Sequence, residues 1–133
     1  MIATLEIATS EHSVLVDITD LVADKVRERG VQSGVCTLYV PHTTAAVTIN
    51  EGADPTVAED LLAGLERLVP WNHPYRHREG NSAAHIKATL VGSSVQVPID
   101  GGRLLLGTWQ RIFFCEFDGP RTRKVRLHLP TGA

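Results

Sequence analysis

Alternating and helical runs of apolar residues divide the chain into well-punctuated segments. Thr4-Leu5-Glu6-Ile7 alternates at strand period, and Val14-Leu15-Val16 follows the polar Ser10-Glu11-His12-Ser13. Together these predict a β-hairpin. Residues 19–30 predict a helix: Thr19 suits the N-cap, Asp20 and Asp24 lie early, Arg27 and Arg29 lie late, and Gly30 suits the position past the end. Residues 35–40 are rich in β-formers and stop at Pro41, which predicts a strand. Residues 44–49 predict another, with Ala45, Val47 and Ile49 on one face. Asp54-Pro55 offers an N-cap followed by proline at the first helical position. Val57, Leu61, Leu62, Leu65 and Leu68 then keep helical spacing as far as Pro70.

Residues 71–80 are polar and irregular, enough chain for a lid or a site wall. Asn81 is expected to cap a third helix over residues 82–91, closed by Gly92. The last third is β again. Residues 95–99 lead through Asp100-Gly101-Gly102 into residues 103–106, and residues 112–117 lead through Asp118-Gly119-Pro120 into the alternating Val125-Arg126-Leu127-His128-Leu129. These predict two more hairpins. The expected fold class is α+β: a single compact domain over residues 1–133, with a largely antiparallel β-sheet and about three helices.

Composition narrows the function classes. At 133 residues, 43% hydrophobic and 21% charged, the chain has the proportions of one globular domain and not of a disordered one. Lys and Arg number 13 against 15 Asp and Glu, a net charge of −2, which argues against a broadly basic nucleic-acid surface. No run reaches the roughly 18 apolar residues of a membrane-spanning helix. Met1-Ile-Ala-Thr-Leu-Glu6 lacks the basic flank of a signal peptide. The expectation is a cytoplasmic protein without nucleic-acid or membrane partners. Cys36 and Cys115 sit in apolar runs and are read as buried, reduced thiols, with one disulfide between them as the alternative.

The polar functional groups gather at strand ends. His42-Thr43-Thr44 begins where the first central strand stops, and Asn50-Glu51-Gly52-Ala53-Asp54 lies where the next one ends. A hairpin of these strands puts His42 near the turn and Asn50 and Glu51 at its open end; a bend in the chain would let them converge. His85 shares a helix face with Asn81. Near a helix N-terminus the charged imidazolium is disfavoured, and a neutral ring accepts a proton or ligates a metal. The alternative is a histidine bridging the helix to a backbone carbonyl. His42, His77 and His85 show neither His-x-x-x-His nor any Cys-x-x-Cys support, so the spacing alone gives a weak metal signal. His12, His73 and His128 are read as surface residues. Anion binding has more support. Gly92-Ser93-Ser94 is a turn with two hydroxyls, and Arg121, Arg123 and Lys124 crowd one short turn. A solvated hairpin tip is the alternative for that turn. No P-loop or Gly-x-Ser-x-Gly elbow is present and neither cysteine has a histidine beside it, which disfavours nucleoside triphosphate chemistry and a covalent hydrolase. Trp109 is read as core or subunit interface, with Gln110 beside it able to donate into a pocket.

Three blocks together resemble the signatures of a small family. They are His42-Thr-Thr-Ala-Ala-Val-Thr-Ile-Asn50-Glu51-Gly-Ala-Asp54-Pro55, then Asn81-Ser-Ala-Ala-His85-Ile-Lys-Ala-Thr-Leu-Val-Gly92-Ser93-Ser94, and finally Gly102-Arg-Leu-Leu-Leu-Gly107-Thr108-Trp109-Gln110 followed by Glu116-Phe117-Asp118-Gly119-Pro120-Arg121. The resemblance is to the YjbQ family, UPF0047, also called "secondary thiamine-phosphate synthase enzyme". It implies a compact α+β homotrimer with a pocket near the subunit interface. It also implies a weak joining of an aminopyrimidine diphosphate to a thiazole phosphate, giving thiamine phosphate and pyrophosphate, so the partner is a small phosphorylated metabolite. Carried over by position, the pattern puts His42, His85 and Glu51 in catalytic roles. Asn50, Asn81, Ser93, Trp109, Gln110 and Arg121 would bind substrate, and Glu116 matches a flanking motif. His42, Asp54, His77 and His85 are the candidate metal ligands, with Glu51 and Asp54 for Mg²⁺ or the three histidines for Zn²⁺. Two alternatives stand beside the transferase: a metal-dependent hydrolase with Glu51 as base, and a non-catalytic binder of a phosphorylated metabolite.

Overall fold

The computed structural model describes residues 1–131. Its elements run β1 (Ile2–Ala8), β2 (Val14–Asp17), α1 (Thr19–Glu28), β3 (Ser33–Tyr39), β4 (Ala45–Glu51), α2 (Pro55–Leu68), α3 (Ser82–Val91), β5 (Ser94–Asp100), β6 (Arg103–Leu104), β7 (Gln110–Glu116) and β8 (Thr122–His128). The strands form two sheets, β1-β8-β3-β5-β6 and β2-β7-β4, and every pairing is antiparallel. The α+β expectation with three helices is met.

The main core lies between the two sheets. Leu5, Leu38, Val97, Val125 and Leu127 of the larger sheet meet Val47, Ile112 and Phe114 of the smaller one, with Ile18, Val22 and Val26 of the α1 segment closing the space. The opposite face of the smaller sheet carries Ala46, Cys115 and Phe117 against Ala84 and Ala88 of α3, with Leu62 and Leu65 of α2 beside them. β7 is thus covered on both faces. That explains why Ile112-Phe113-Phe114-Cys115 reads as an unbroken apolar run and not as an alternating one. Both cysteines are free and buried, and burial pushes the Cys36 thiol up to about 11 and that of Cys115 up to about 12.

Two expected hairpins do not form. β1 pairs with β8 and β2 with β7, so residues 9–13 cross from one sheet to the other. β7 and β8 also part company at Asp118-Gly119-Pro120, β7 joining β4 and β8 joining β3. β3 and β4, too, belong to different sheets. The turn residues mark the corners correctly, but a corner between packed sheets and a hairpin tip use the same residue types. The β5–β6 hairpin through Gly101 and Gly102 does form.

Helix boundaries follow their punctuation closely. Asp54 caps α2 by accepting the Thr56 amide at 2.9 Å, with Pro55 in the first turn. Gly30, at φ +66°, follows the end of α1, and Gly92, at φ +104°, closes α3. The start of α1 shifts by one residue. Ile18 is the N-cap, and the Thr19 hydroxyl accepts the Ile112 amide at 2.8 Å, tying the helix to β7.

Candidate functional site

Where β3 ends, its chain leaves the larger sheet, and β4 begins in the smaller one a few residues later. The connecting stretch Val40-Pro41-His42-Thr43-Thr44 lies against α3 and the 118–123 corner. The Val40 amide donates to the Ser93 carbonyl at 2.8 Å, and the Val47 amide to that of Gly92 at 3.2 Å. A polar cavity of ≈ 880 Å³ opens there, lined by Tyr39, His42, Thr43, Thr44, His77, Glu79, Asn81, His85, Ser93, Asp118, Arg121 and Arg123 among others. The structure therefore gathers His42, His77, Asn81, His85, Ser93 and Arg121 from the sequence reading into one place.

A buried ion pair sits behind this cavity. Glu116 is fully buried at the end of β7, and Arg123 is 4% exposed at the start of β8. Arg123 Nε donates to Glu116 Oε1 at 2.8 Å, its Nη2 meets Glu116 Oε2, and the same nitrogen reaches the Thr44 hydroxyl at 2.9 Å. The Thr9 hydroxyl donates to Glu116 Oε1 at 2.8 Å and the Asp118 amide to Oε2 at 3.0 Å. Burial pushes the Glu116 carboxyl up, but Arg123 and the Asp118 and Thr9 donors outweigh it and hold the group below its ordinary 4.5. Arg123 is accordingly not a free cation of a hairpin tip. It shares the inward face of β8 with Val125 and Leu127, a placement that the alternation of the strand already encodes.

His42 is fixed by its ring. Nε2 accepts the Lys124 backbone amide at 2.9 Å, so in the neutral ring the proton is on Nδ1 and His42 acts as a hydrogen-bond donor. Burial, and next the positive charge of Arg123, lower its proton affinity below the ordinary 6.5. His77 and His85 meet edge to face with ring centroids 5.5 Å apart. His85 also borders two smaller hollows. One of ≈ 430 Å³ adjoins Ala88, Gly92 and Ser93, and one of ≈ 370 Å³ adjoins Tyr75, Ser82 and Ile86.

The other expected site residues lie elsewhere in the chain. β4 pairs with β7 from Ala45↔Glu116 to Glu51↔Gln110, so Asn50, Glu51, Asp54, Trp109 and Gln110 belong to the end of the strand away from His42, about 20 Å off at strand rise. Several have local work there. Asn50 Oδ1 accepts the Glu51 amide, Asp54 Oδ1 accepts both the amide and the hydroxyl of Thr56, and Gln110 Oε1 accepts the Gly107 amide. Trp109 is 63% exposed, so it is not core. Glu51 cannot serve as a base beside His42 within one chain, and Asp54 does not join His42, His77 and His85. Among the described residues no group of three or more His, Cys, Asp or Glu is arranged to hold a metal ion. His42 in particular has the nitrogen opposite its proton already occupied.

The two-sheet, three-helix arrangement is shared with solved structures. An uncharacterised YjbQ/UPF0047 structure from Clostridium acetobutylicum superimposes with a TM-score of 0.94 at 50% identity, covering 96% of this chain and 99% of that one. A conserved hypothetical protein of Thermus thermophilus does so at 0.89 and 45% identity, covering 96% and 99%. The family model described as UPF0047 protein YjbQ-like matches residues 3–131, and the UPF0047 protein YugU of Bacillus subtilis is 52% identical over 130 residues, 97% of this chain and 98% of that protein. The chain belongs to the YjbQ-like UPF0047 family. No helix is long and apolar enough to cross a membrane among the described residues.

Proposed function

We propose that the polar cavity binds a small phosphorylated metabolite and joins it to a second molecule, as in the transfer of an aminopyrimidine to a thiazole phosphate. The observation that carries this reading is the position of His85 as a wall shared by the large polar cavity and two smaller hollows, one of them bordered by Tyr75 and Ile86. A joining reaction needs room for two partners side by side, and holding both in register supplies much of the rate. In that reaction the thiazole nitrogen donates its lone pair to the methylene carbon of the pyrimidine. The carbon–oxygen bond to the diphosphate breaks, and its electron pair leaves with pyrophosphate.

The protein groups available to the leaving anion are donors. Arg121 spends Nε and Nη2 on Asp118, at 2.7 and 3.1 Å, and keeps the rest of its fork for phosphate oxygens. His42 adds its Nδ1–H, and Ser93 a hydroxyl. Among the described residues the expected ligand set for Mg²⁺ or Zn²⁺ does not converge within one chain. We further propose a homotrimer in which the Glu51 and Trp109 end of one subunit approaches the cavity of its neighbour. This would reunite the residues that one chain keeps apart.

The test is thiamine phosphate formation from the two phosphorylated precursors with Mg²⁺, using protein from a host without its own synthase. The parent is expected to form product, and His85→Ala and His42→Ala to lose it while retaining a cooperative melt. Product absent from the parent, or equal in parent and variants, would overturn the reading.

A further inference from the structure

A hollow of ≈ 370 Å³ shares His77 and His85 with the polar cavity, and its other walls are Tyr75, Arg76, Ser82 and Ile86. The chemistry of the two spaces differs. The polar cavity is lined by the acids Glu79 and Asp118, and its arginines are engaged, Arg123 on Glu116 and Arg121 partly on Asp118. No acid lines the hollow, and among the described residues Arg76 makes no ion pair. Ile86 of α3 is 39% exposed, an apolar side chain that the fold leaves open. Tyr75 is held in place. Its hydroxyl donates to the Pro70 carbonyl at 2.7 Å, and the His73 ring lies 4.9 Å away, centroid to centroid. A fixed aromatic ring, an open isoleucine and an unpaired cation thus border a space that abuts the polar cavity.

We propose that this hollow is a second binding subsite, for a flat heteroaromatic ring that carries a single phosphate. The ring lies against Tyr75 and Ile86, which offer it an aromatic and an aliphatic contact. Its phosphate meets the Arg76 guanidinium, whose planar fork suits phosphate oxygens, with the Ser82 hydroxyl as a further donor. Two anions bound side by side repel each other, so each needs its own cation. Arg121 serves the diphosphate in the polar cavity, and Arg76 the phosphate in the hollow. His77 and His85 border both spaces, so a ring in the hollow abuts the molecule in the cavity. The assignment rests on the joining reaction proposed above, and adds where the thiazole phosphate sits and which residues select it.

Calorimetric titration of the full chain tests this with three probes: the thiazole phosphate, the same thiazole with a free hydroxyl, and inorganic pyrophosphate. The parent is expected to bind the thiazole phosphate whether or not pyrophosphate is already saturating. It should bind the phosphate ester about tenfold more tightly than the alcohol, the scale of one hydrogen bond to a charged group. Arg76→Gln removes that difference, and Ile86→Asn weakens ester and alcohol alike; both leave pyrophosphate affinity at the parent level. Both side chains are exposed, and an unchanged cooperative melt shows that each variant folds. A parent that does not bind the thiazole phosphate, its displacement by pyrophosphate, or unchanged affinities in either variant would overturn the assignment. Independent binding of the two anions without thiamine phosphate formation would remove the transferase and leave the subsite. Product formation with an unchanged KM for the thiazole phosphate in Arg76→Gln would do the reverse.

Discussion

Glu116→Gln changes one oxygen to nitrogen inside the chain's buried ion pair. The parent carboxylate is fully buried and accepts from the Thr9 hydroxyl, the Asp118 amide and two nitrogens of Arg123. Glutamine keeps the shape but removes the charge, leaving the Arg123 guanidinium, 4% exposed, without its counterion. One side of the new amide also presents N–H groups to donors. Removing one partner of such a pair costs about 3–5 kcal/mol. Against a total stability of roughly 5–15 kcal/mol for a domain, that is a large share. The melting temperature should fall by about 10–20 °C for a chain of this size. Urea unfolding followed by circular dichroism reads the loss at constant m-value. The double variant Glu116→Gln with Arg123→Met should recover part of the loss, a coupling that shows the charges acting on each other. The acid limb gives a second check. Glu116 has a depressed carboxyl in the folded state, so its stabilisation is present above the ordinary 4.5 and is lost as pH falls through the lower folded value. The parent and Glu116→Gln curves should therefore converge in acid. A loss below about 1 kcal/mol, the scale of a surface pair, would refute the claim that this pair is desolvated and holds the sheet corner.

Two further expectations follow from the same site. His42 should titrate below its ordinary 6.5 by NMR and lose its Lys124 hydrogen bond when it does. Because the folded affinity for the proton is lowered, this residue favours folding above 6.5 and ceases to as pH falls through the folded value; a midpoint at or above 6.5 would refute the lowering by burial and the Arg123 charge. Light scattering should return a mass three times the 14.5 kDa of the chain, and a monomer would remove the proposal that neighbouring subunits complete the site.

Much of the architecture was legible along the chain. Asp54-Pro55, Gly30 and Gly92 mark helix ends by local backbone chemistry, and the alternation of β8 separates Arg123, Val125 and Leu127 from Lys124 and Arg126. The motif residues His42, Asn81, His85, Ser93 and Arg121 belong together, and they do share one cavity. Strand partners were not legible, because a turn sequence reports a change of direction and says nothing of which sheet receives the next strand. The consequence for the site is direct. Only eight residues separate His42 from Glu51, yet an extended strand carries them to opposite ends of a sheet, while Glu116 and Arg123 meet across a corner between two sheets. The turn of the Asn81 amide toward Asp118 is also a tertiary fact. The sequence marks a helix cap, and only the packing of Asp118 against it turns the side chain away from the helix. Local propensity depends on neighbours in the chain, whereas the charge, burial and aim of each site residue depend on neighbours in space.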